Sequence, residues 1–221
     1  MSAASPPQLP SGPAVVREQP AGDTMRAIVL NGFGGLDLKP GQTLVLRGAT
    51  SSLGQAALKM AAAAGARVVA TTRSRERVAM LEKLGASRVE LERRDLATHI
   101  AGAKTIDAVL DLIGNSTILD SLDMLRRGGT ACLAGWLGGL DPIGDFNPLL
   151  RMASGVNWNF FGSFVFGTPG FPLSDVPLQD VARQVAEGKL QAKPSRVFSF
   201  DQIHDAHRGW RRAKPAARWS S

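Results

Sequence analysis

Gly48-Ala49-Thr50-Ser51-Ser52-Leu53-Gly54 follows the apolar run Thr43–Leu46 and leads into an Ala-rich segment. Small residues at the tip of a strand let the backbone come close to a phosphate. The free N–H groups and positive dipole end of the helix that follows then attract the charge. Ala49, Ser51 and Gly54 stand at the three glycine positions of the dinucleotide fingerprint G-x-G-x-x-G. Gly54, with Ala56, Ala57, Ala61 and Ala64 behind it, would let that helix pack close to the strand. The same seven residues also make an ordinary tight strand-to-helix turn, and the motif alone leaves both readings open.

About 20 residues further on, an NAD site usually places an acid on the ribose 2′-hydroxyl. Here the second strand tip reads Thr71-Thr72-Arg73-Ser74, followed by Arg75, Glu76 and Arg77. A guanidinium fork beside the Thr72 and Ser74 hydroxyls suits a 2′-phosphate, so NADPH is expected over NADH if a dinucleotide binds. The competing reading is that these arginines are a solvated helix start; Glu76, beyond the strand tip, could be mistaken for the missing acid. Other reactive residues have plainer explanations. His204 and His207 stand at i, i+3 with no evident third ligand, so they are read as surface or packing residues and no metal is expected. Cys132 reads as a small core hydrophobe. Asp107 and Asp111 share a strand face; Asp111 is either near a ligand or caps the next helix. Trp158, Phe160, Phe161, Phe164 and Phe166 read as core or interface.

The elements that position these groups alternate. Strands are expected at 43–46, 67–71, 89–91, 106–112 and 130–134. Helices are expected at 53–64, from Ser74 to 84, at 96–101, and at 117–126 behind an Asn115 cap and before a Gly128-Gly129 stop. Continuous apolar strands separated by helices predict an α/β fold, a doubly wound parallel Rossmann sheet covered on both faces. After Gly135 the rhythm breaks. Residues 136–152 read as loop and 156–166 as rich in strand formers. Pro177 opens a helix ending near Gly188, 196–200 is strand-like, and Asp201 caps a last helix at 202–210.

Composition limits the rest. The chain has 221 residues and a charged fraction of 20%, as in a globular protein. No apolar run is long enough for a membrane span. One cysteine excludes an internal disulfide and suggests a reducing, cytoplasmic setting. Tyrosine is absent, which removes any Tyr acid or base and with it the short-chain dehydrogenase class. The net charge of +7 includes five cations from Arg208 to Arg218, and without them the chain carries +2. No nucleic-acid partner is therefore expected. Residues 1–24 hold five of the thirteen prolines and no apolar signal region, and are expected to be a disordered extension.

GATSSLG (48–54), KLGA (83–86), IDAVLDLIGN (106–115), RGGTACLAG (127–135), FFGSF (160–164) and DQIHDAH (201–207) resemble, in order and spacing, the cofactor half of the zinc-independent medium-chain dehydrogenase/reductases. The NADPH:quinone oxidoreductase group is the nearest in pattern. The resemblance covers about 37–208, which would be the NAD(P)-binding Rossmann domain. It implies that Ala49, Thr50, Ser51, Ser52, Leu53 and Gly54 line the pyrophosphate. Thr72, Arg73, Ser74 and Arg77 would hold the 2′-phosphate end, and Ile113 and Gly114 would lie beside the adenosine. Ala134, Gly135, Trp136, Phe161 and Gly162 would sit near the nicotinamide. Residues 156–166 resemble the edge strand through which relatives form homodimers.

The departures count as well. Residues 25–36 resemble a remnant of the GroES-like catalytic domain, whose body is expected to be missing, and 209–221 form a basic divergent tail. The function implied is NADPH-dependent hydride transfer to a small quinone or enone, impaired by that loss. The alternative is a non-catalytic NADPH-binding or dimerisation module. No catalytic residue can be named.

Overall fold

The computed structural model describes residue 36 and residues 38–173, 177–190, 192 and 197–213. The proline-rich extension, nearly all of the 25–36 segment and the end of the basic tail lie outside the described residues.

The strands β1 (Thr43–Arg47), β2 (Arg67–Thr72), β3 (Arg88–Leu91), β4 (Ile106–Asp111), β5 (Leu125–Leu133) and β6 (Asn157–Phe160) form one sheet in the order β3-β2-β1-β4-β5-β6. Every pairing is parallel. The order reverses between β1 and β4, and the crevice outside the carboxyl ends of the strands at such a reversal is where open α/β sheets take ligands.

The period of two along each strand builds two cores. Leu44, Leu46, Val68, Ala70, Ala108, Leu110 and Cys132 face one side, where α1 (Ser52–Ala63) and α2 (Val78–Lys83) pack. Val45, Val69, Val109, Ala131 and Leu133 face the other, with α3 (Ile118–Met124) and a 3₁₀ turn at Leu96–Thr98. Alternation in strands buried on both faces explains their near-continuous apolar runs. The doubly wound parallel sheet is therefore present as the sequence implies.

Helix α1 buries Gly54, Ala57, Leu58 and Ala61 as one stripe. Ala57 and Ala61 make the expected close contact; Ala56 is exposed and Ala64 only half-buried, off that stripe. A Cβ on Gly54 would lie 2.4 Å from the Gly48 carbonyl oxygen, so helix and turn meet backbone to backbone.

Several boundaries differ from the sequence reading. The helix expected at 117–126 ends at Met124, and Leu125 turns extended. Burial of Leu125, its pairing with Ile106 and a 2.7 Å ion pair between Arg126 and Asp107 draw 125–129 into the sheet, with a register shift before Thr130. Thr117, not Asn115, precedes the helix, and the Asn115 amide donates to the Asp141 carbonyl. The expected helix at 96–101 is only the 3₁₀ turn.

Beyond β6 lie α5 (Leu178–Ala186) and α6 (Ile203–Ala213), with a short α4 (Pro148–Arg151) before it. Val197, Phe198 and Ser199 form no strand, and Ser199 opens a capping box with Gln202 ahead of α6. Phe160 and Phe164 are exposed rather than core, while Trp158 meets Phe146 edge to face.

In an unconstrained helix Gly→Ala stabilises by about 1 kcal/mol. Gly54→Ala should instead destabilise by about 1–3 kcal/mol, as overpacking does. Urea unfolding measures this, and a neutral or stabilising result would contradict the close helix–turn contact.

Candidate functional site at the carboxyl ends of the strands

β1 ends in a charge. Arg47 is completely buried, directly before the glycine turn. Its Nη1 donates to Asp120 Oδ2 at 2.6 Å, Ser121 Oγ at 3.2 Å and the Thr117 carbonyl at 3.3 Å. Its Nη2 donates to Glu92 Oε1 and, at 2.7 Å, to the Arg93 carbonyl, while Nε reaches Glu92 Oε2 at 3.4 Å. Thr71 donates to Glu92 Oε2 at 2.6 Å and its Oγ1 accepts the Gly48 N–H at 3.3 Å. One guanidinium thus ties the tips of β1 and β3, the start of α3 and, through Thr71, the tip of β2. Burial works against the charge on Arg47, but Glu92, Asp111 and Asp120 outweigh it and raise the guanidinium pKa. For Asp120, burial outweighs the Ala97 N–H and Arg47 and raises the carboxyl above its usual value.

Asp111, at the end of β4, is committed to structure. Its carboxylate accepts from the Ile113 N–H at 2.9 Å, the Gly114 N–H at 3.0 Å, the Thr117 hydroxyl at 2.9 Å and the Ser121 hydroxyl at 2.7 Å. Asp111 is thus spent on the turn before α3 and on the Thr117 and Ser121 hydroxyls; the N-cap position of α3 itself is Thr117, so the expected cap by Asp111 is not formed. Asp107 sits at the other end of β4. Burial would raise its pKa, but the Thr43 N–H, Arg126 and Gln42 together hold it below the usual carboxylate range.

Ser51 is the N-cap of α1: its Oγ accepts the Gly54 N–H at 3.0 Å and donates to the Gly48 carbonyl at 2.9 Å. That hydroxyl is spent inside the turn. The Ser52 and Leu53 N–H groups, in the first helical turn, have no acceptor within the helix, and both residues are exposed. Gly48 has φ +79°, a conformation that favours glycine.

A cavity of about 70 Å³ opens between this turn and the neighbouring tips, lined by Gly48, Thr50, Thr72, Arg73, Glu92 and Ile113 among others. Thr72 Oγ1 accepts the Ser74 N–H at 3.2 Å, which holds the tip of β2 beneath the exposed Arg73. Arg77 lies in a 3₁₀ turn beyond it, exposed and outside this lining.

Further along the same rim, Ala134 N–H donates to the Asp111 carbonyl and Phe161 N–H to the Leu133 carbonyl, both at 2.9 Å. Gly135 packs so tightly on Leu112 that a Cβ would lie 2.5 Å from its carbonyl oxygen. Ala134, Gly135, Phe161 and Gly162 are thereby brought together at the ends of β5 and β6, with Trp136 57% exposed beside them. Sequence reasoning missed Arg47, Thr71, Glu92, Leu137 and Gly138. Leu137 and Gly138 bond back to Leu112 and Ile113 at 3.1 and 2.7 Å and complete the cavity lining.

The residues present fit a dinucleotide: a glycine turn feeding a twelve-residue helix, first-turn N–H groups without intrahelical acceptors, and a cation and hydroxyls at the adjacent tip. Among the described residues no three His, Cys, Asp or Glu side chains gather as a metal would require. No helix of the described residues is long and apolar enough to cross a membrane.

Residues 52–173 match the family of zinc-binding dehydrogenases. The chain is 33% identical over 119 residues to the acryloyl-coenzyme A reductase of Metallosphaera sedula, covering 54% of this chain and 34% of that protein. It is 29% identical over 122 residues to the quinone oxidoreductase of Sus scrofa, covering 53% of this chain and 36% of that one. The chain thus spans about a third of the length of these curated relatives. The crystal structure of AibC superposes with a TM-score of 0.69 at 21% identity, over 86% of this chain and 51% of that one, a likeness of fold.

Replacing Arg47 with Met leaves Glu92 and Asp120 without their shared cation, and breaking a buried pair in this way should cost about 3–5 kcal/mol in urea unfolding. A loss below about 1 kcal/mol would mean that the guanidinium does not organise the strand tips. Burial, with Asp111 nearby, pushes the Cys132 thiol up to about 12 from 9.0. The folded chain therefore keeps this proton more tightly than the unfolded one, and the associated stability, present below pH 9, falls as pH rises toward 12. At pH 9 Cys132 should resist a thiol reagent until urea is added; rapid labelling of the folded chain would contradict its burial.

Proposed function

The chain belongs to the zinc-binding dehydrogenase family, and on that premise we propose that it binds NADPH along the carboxyl ends of its strands and serves hydride transfer to a small quinone or enone. The observation that carries this reading is the shared cavity of the glycine turn and the β2 tip, where Gly48 and Thr50 meet Thr72 and Arg73. In this reading residues 37–208 are the cofactor domain and 25–36 belong to a catalytic domain. The names of the relatives, a quinone oxidoreductase and an acryloyl-coenzyme A reductase, support the substrate class. NADPH would supply the hydride; the protein supplies binding, orientation and electrostatics.

The roles follow from placement. The Ser52 and Leu53 N–H groups and the α1 dipole face the pyrophosphate, and Ala49, Gly54 and the Ser51 cap hold the turn in shape. Arg73 gives a fork for the 2′-phosphate, with Thr72 and Ser74 fixing its backbone and Arg77 adding long-range positive charge. Ile113 and Gly114 flank the adenosine. Ala134, Gly135, Trp136, Phe161 and Gly162 form the rim for the nicotinamide, where exposed Trp136 and half-buried Phe161 would shield the reacting face from water. The homodimer through 156–166 belongs to the same reading and is supported by β6, which ends the sheet with no strand on its outer side among the described residues. A cytoplasmic setting is supported by the single cysteine.

Titration of the purified chain with NADPH and with NADH, read by nicotinamide fluorescence, tests the reading. Saturable binding that favours NADPH is expected. Arg73→Ala should weaken NADPH about ten- to a hundredfold, the value of a charge-assisted contact, and NADH little. Equal weakening of both would remove Arg73 from the phosphate. Quinone consumption in the presence of NADPH then separates turnover from a binding module: binding without reduction would assign the chain the second role.

A further inference from the structure

We propose that Glu92, at the tip of β3, reads the adenosine ribose and sets the balance between NADPH and NADH; this rests on the cofactor reading above. An acid at the tip of β2 is what an NAD site ordinarily uses, and this chain has Arg73 there. The neighbouring strand supplies one instead. Leu91 pairs with Thr72 in the parallel register, and the next N–H, that of Glu92, donates to the Thr72 carbonyl at 2.8 Å. Glu92 and Arg73 consequently line the same cavity, together with Gly48 and Thr50 of the glycine turn.

The Glu92 carboxylate is fixed in place. Oε1 accepts from Arg47 Nη2; Oε2 accepts from the Thr71 hydroxyl at 2.6 Å and from Arg47 Nε at 3.4 Å. An ionised carboxylate has about four acceptor sites. Three are used, and the remaining one is on Oε1. Thr71 in turn accepts the Gly48 N–H, so the acid is coupled through one hydroxyl to the first residue of the phosphate turn.

The chemistry divides the two nucleotides. A ribose hydroxyl is a donor, and a fixed carboxylate with a vacant lone pair accepts it. A 2′-phosphate carries negative charge and offers that carboxylate no donor, so it is attracted by Arg73 and gains nothing from Glu92, whose own charge is paired with Arg47. The site therefore holds two opposed determinants from adjacent strands. It admits NADH as well, and prefers NADPH by less than Arg73 alone would give.

The test measures the ratio of the NADH and NADPH dissociation constants by fluorescence titration, for the wild-type chain and for Glu92→Gln, which keeps the shape and removes the charge. General loosening of the site weakens both nucleotides together and leaves the ratio fixed. Loss of the Glu92 charge should raise it about tenfold, by weakening NADH. Because Glu92 partners a buried Arg47, a second measurement uses only the wild-type chain: 2′-deoxy-NADH should bind about five- to tenfold more weakly than NADH. An unmoved ratio, or 2′-deoxy-NADH binding as tightly as NADH, would overturn the role of Glu92 while leaving the cofactor reading intact. Absence of saturable binding by any of these nucleotides to the folded wild-type chain would overturn both.

Discussion

The guanidinium of Arg47 is the constraint on which this arrangement depends. A fully buried charge is costly to desolvate, and it is tolerated only where partners meet it from several sides. Here they come from three places: Glu92 and the Arg93 carbonyl beyond β3, Asp120 and Ser121 on α3, and the Thr117 carbonyl just before that helix. Ser121 passes the link on to Asp111 at the end of β4, and Thr71 passes it to β2. The carboxyl ends of four neighbouring strands are consequently held by one polar network, directly behind the glycine turn. An apolar core would pack these strands, but it would not fix the positions of their tips relative to one another in this way.

The two apolar cores do different work. On one face Gly54, Ala57 and Ala61 bring α1 down onto the sheet, which fixes the direction in which its first-turn N–H groups point. On the other, Ile118 and Leu122 seat α3 so that Asp120 reaches Arg47 and Thr117 reaches Asp111. The reversal of strand order between β1 and β4 opens the crevice between these two helices. Close backbone approach at Gly54 and Gly135, and the Ser116 and Ile113 side chains against Gly138, leave no room for larger residues, so the rim is shaped as much by glycine contacts as by side chains.

Much of this was legible in the sequence. The β1, β2 and β4 runs, the glycine turn and the Arg73 tip follow from local pattern, because their signals are short-range: apolar continuity, small residues and turn chemistry. What was not legible arises between elements distant in the chain. Arg47 reads as a charge ending a strand, and only its meeting with Glu92 and Asp120, 45 and 73 residues away, shows it to be buried. The signal that was available was an arginine inside an otherwise apolar strand-to-turn junction, which calls for acidic partners. The early start of β5 was hidden for the same reason. Leu125 and Arg126 continue a helical pattern locally, and their pairing with Ile106 and Asp107 overrides it. The strand-like residues 197–199 show the converse: among the described residues they pair with no strand of the sheet, and β propensity alone does not make them one.

Hydrogen–deuterium exchange of the chain with and without saturating NADPH tests the central claim most directly, because it maps the site without altering it. The account predicts slowed exchange at the glycine turn, 48–54, and at the tips of β2 and β3, residues 72–74 and 92–94, with the amino ends of the strands unchanged. Exchange unaffected at those segments, or protection confined to α5 and α6, would contradict a nucleotide site at the carboxyl ends of the strands.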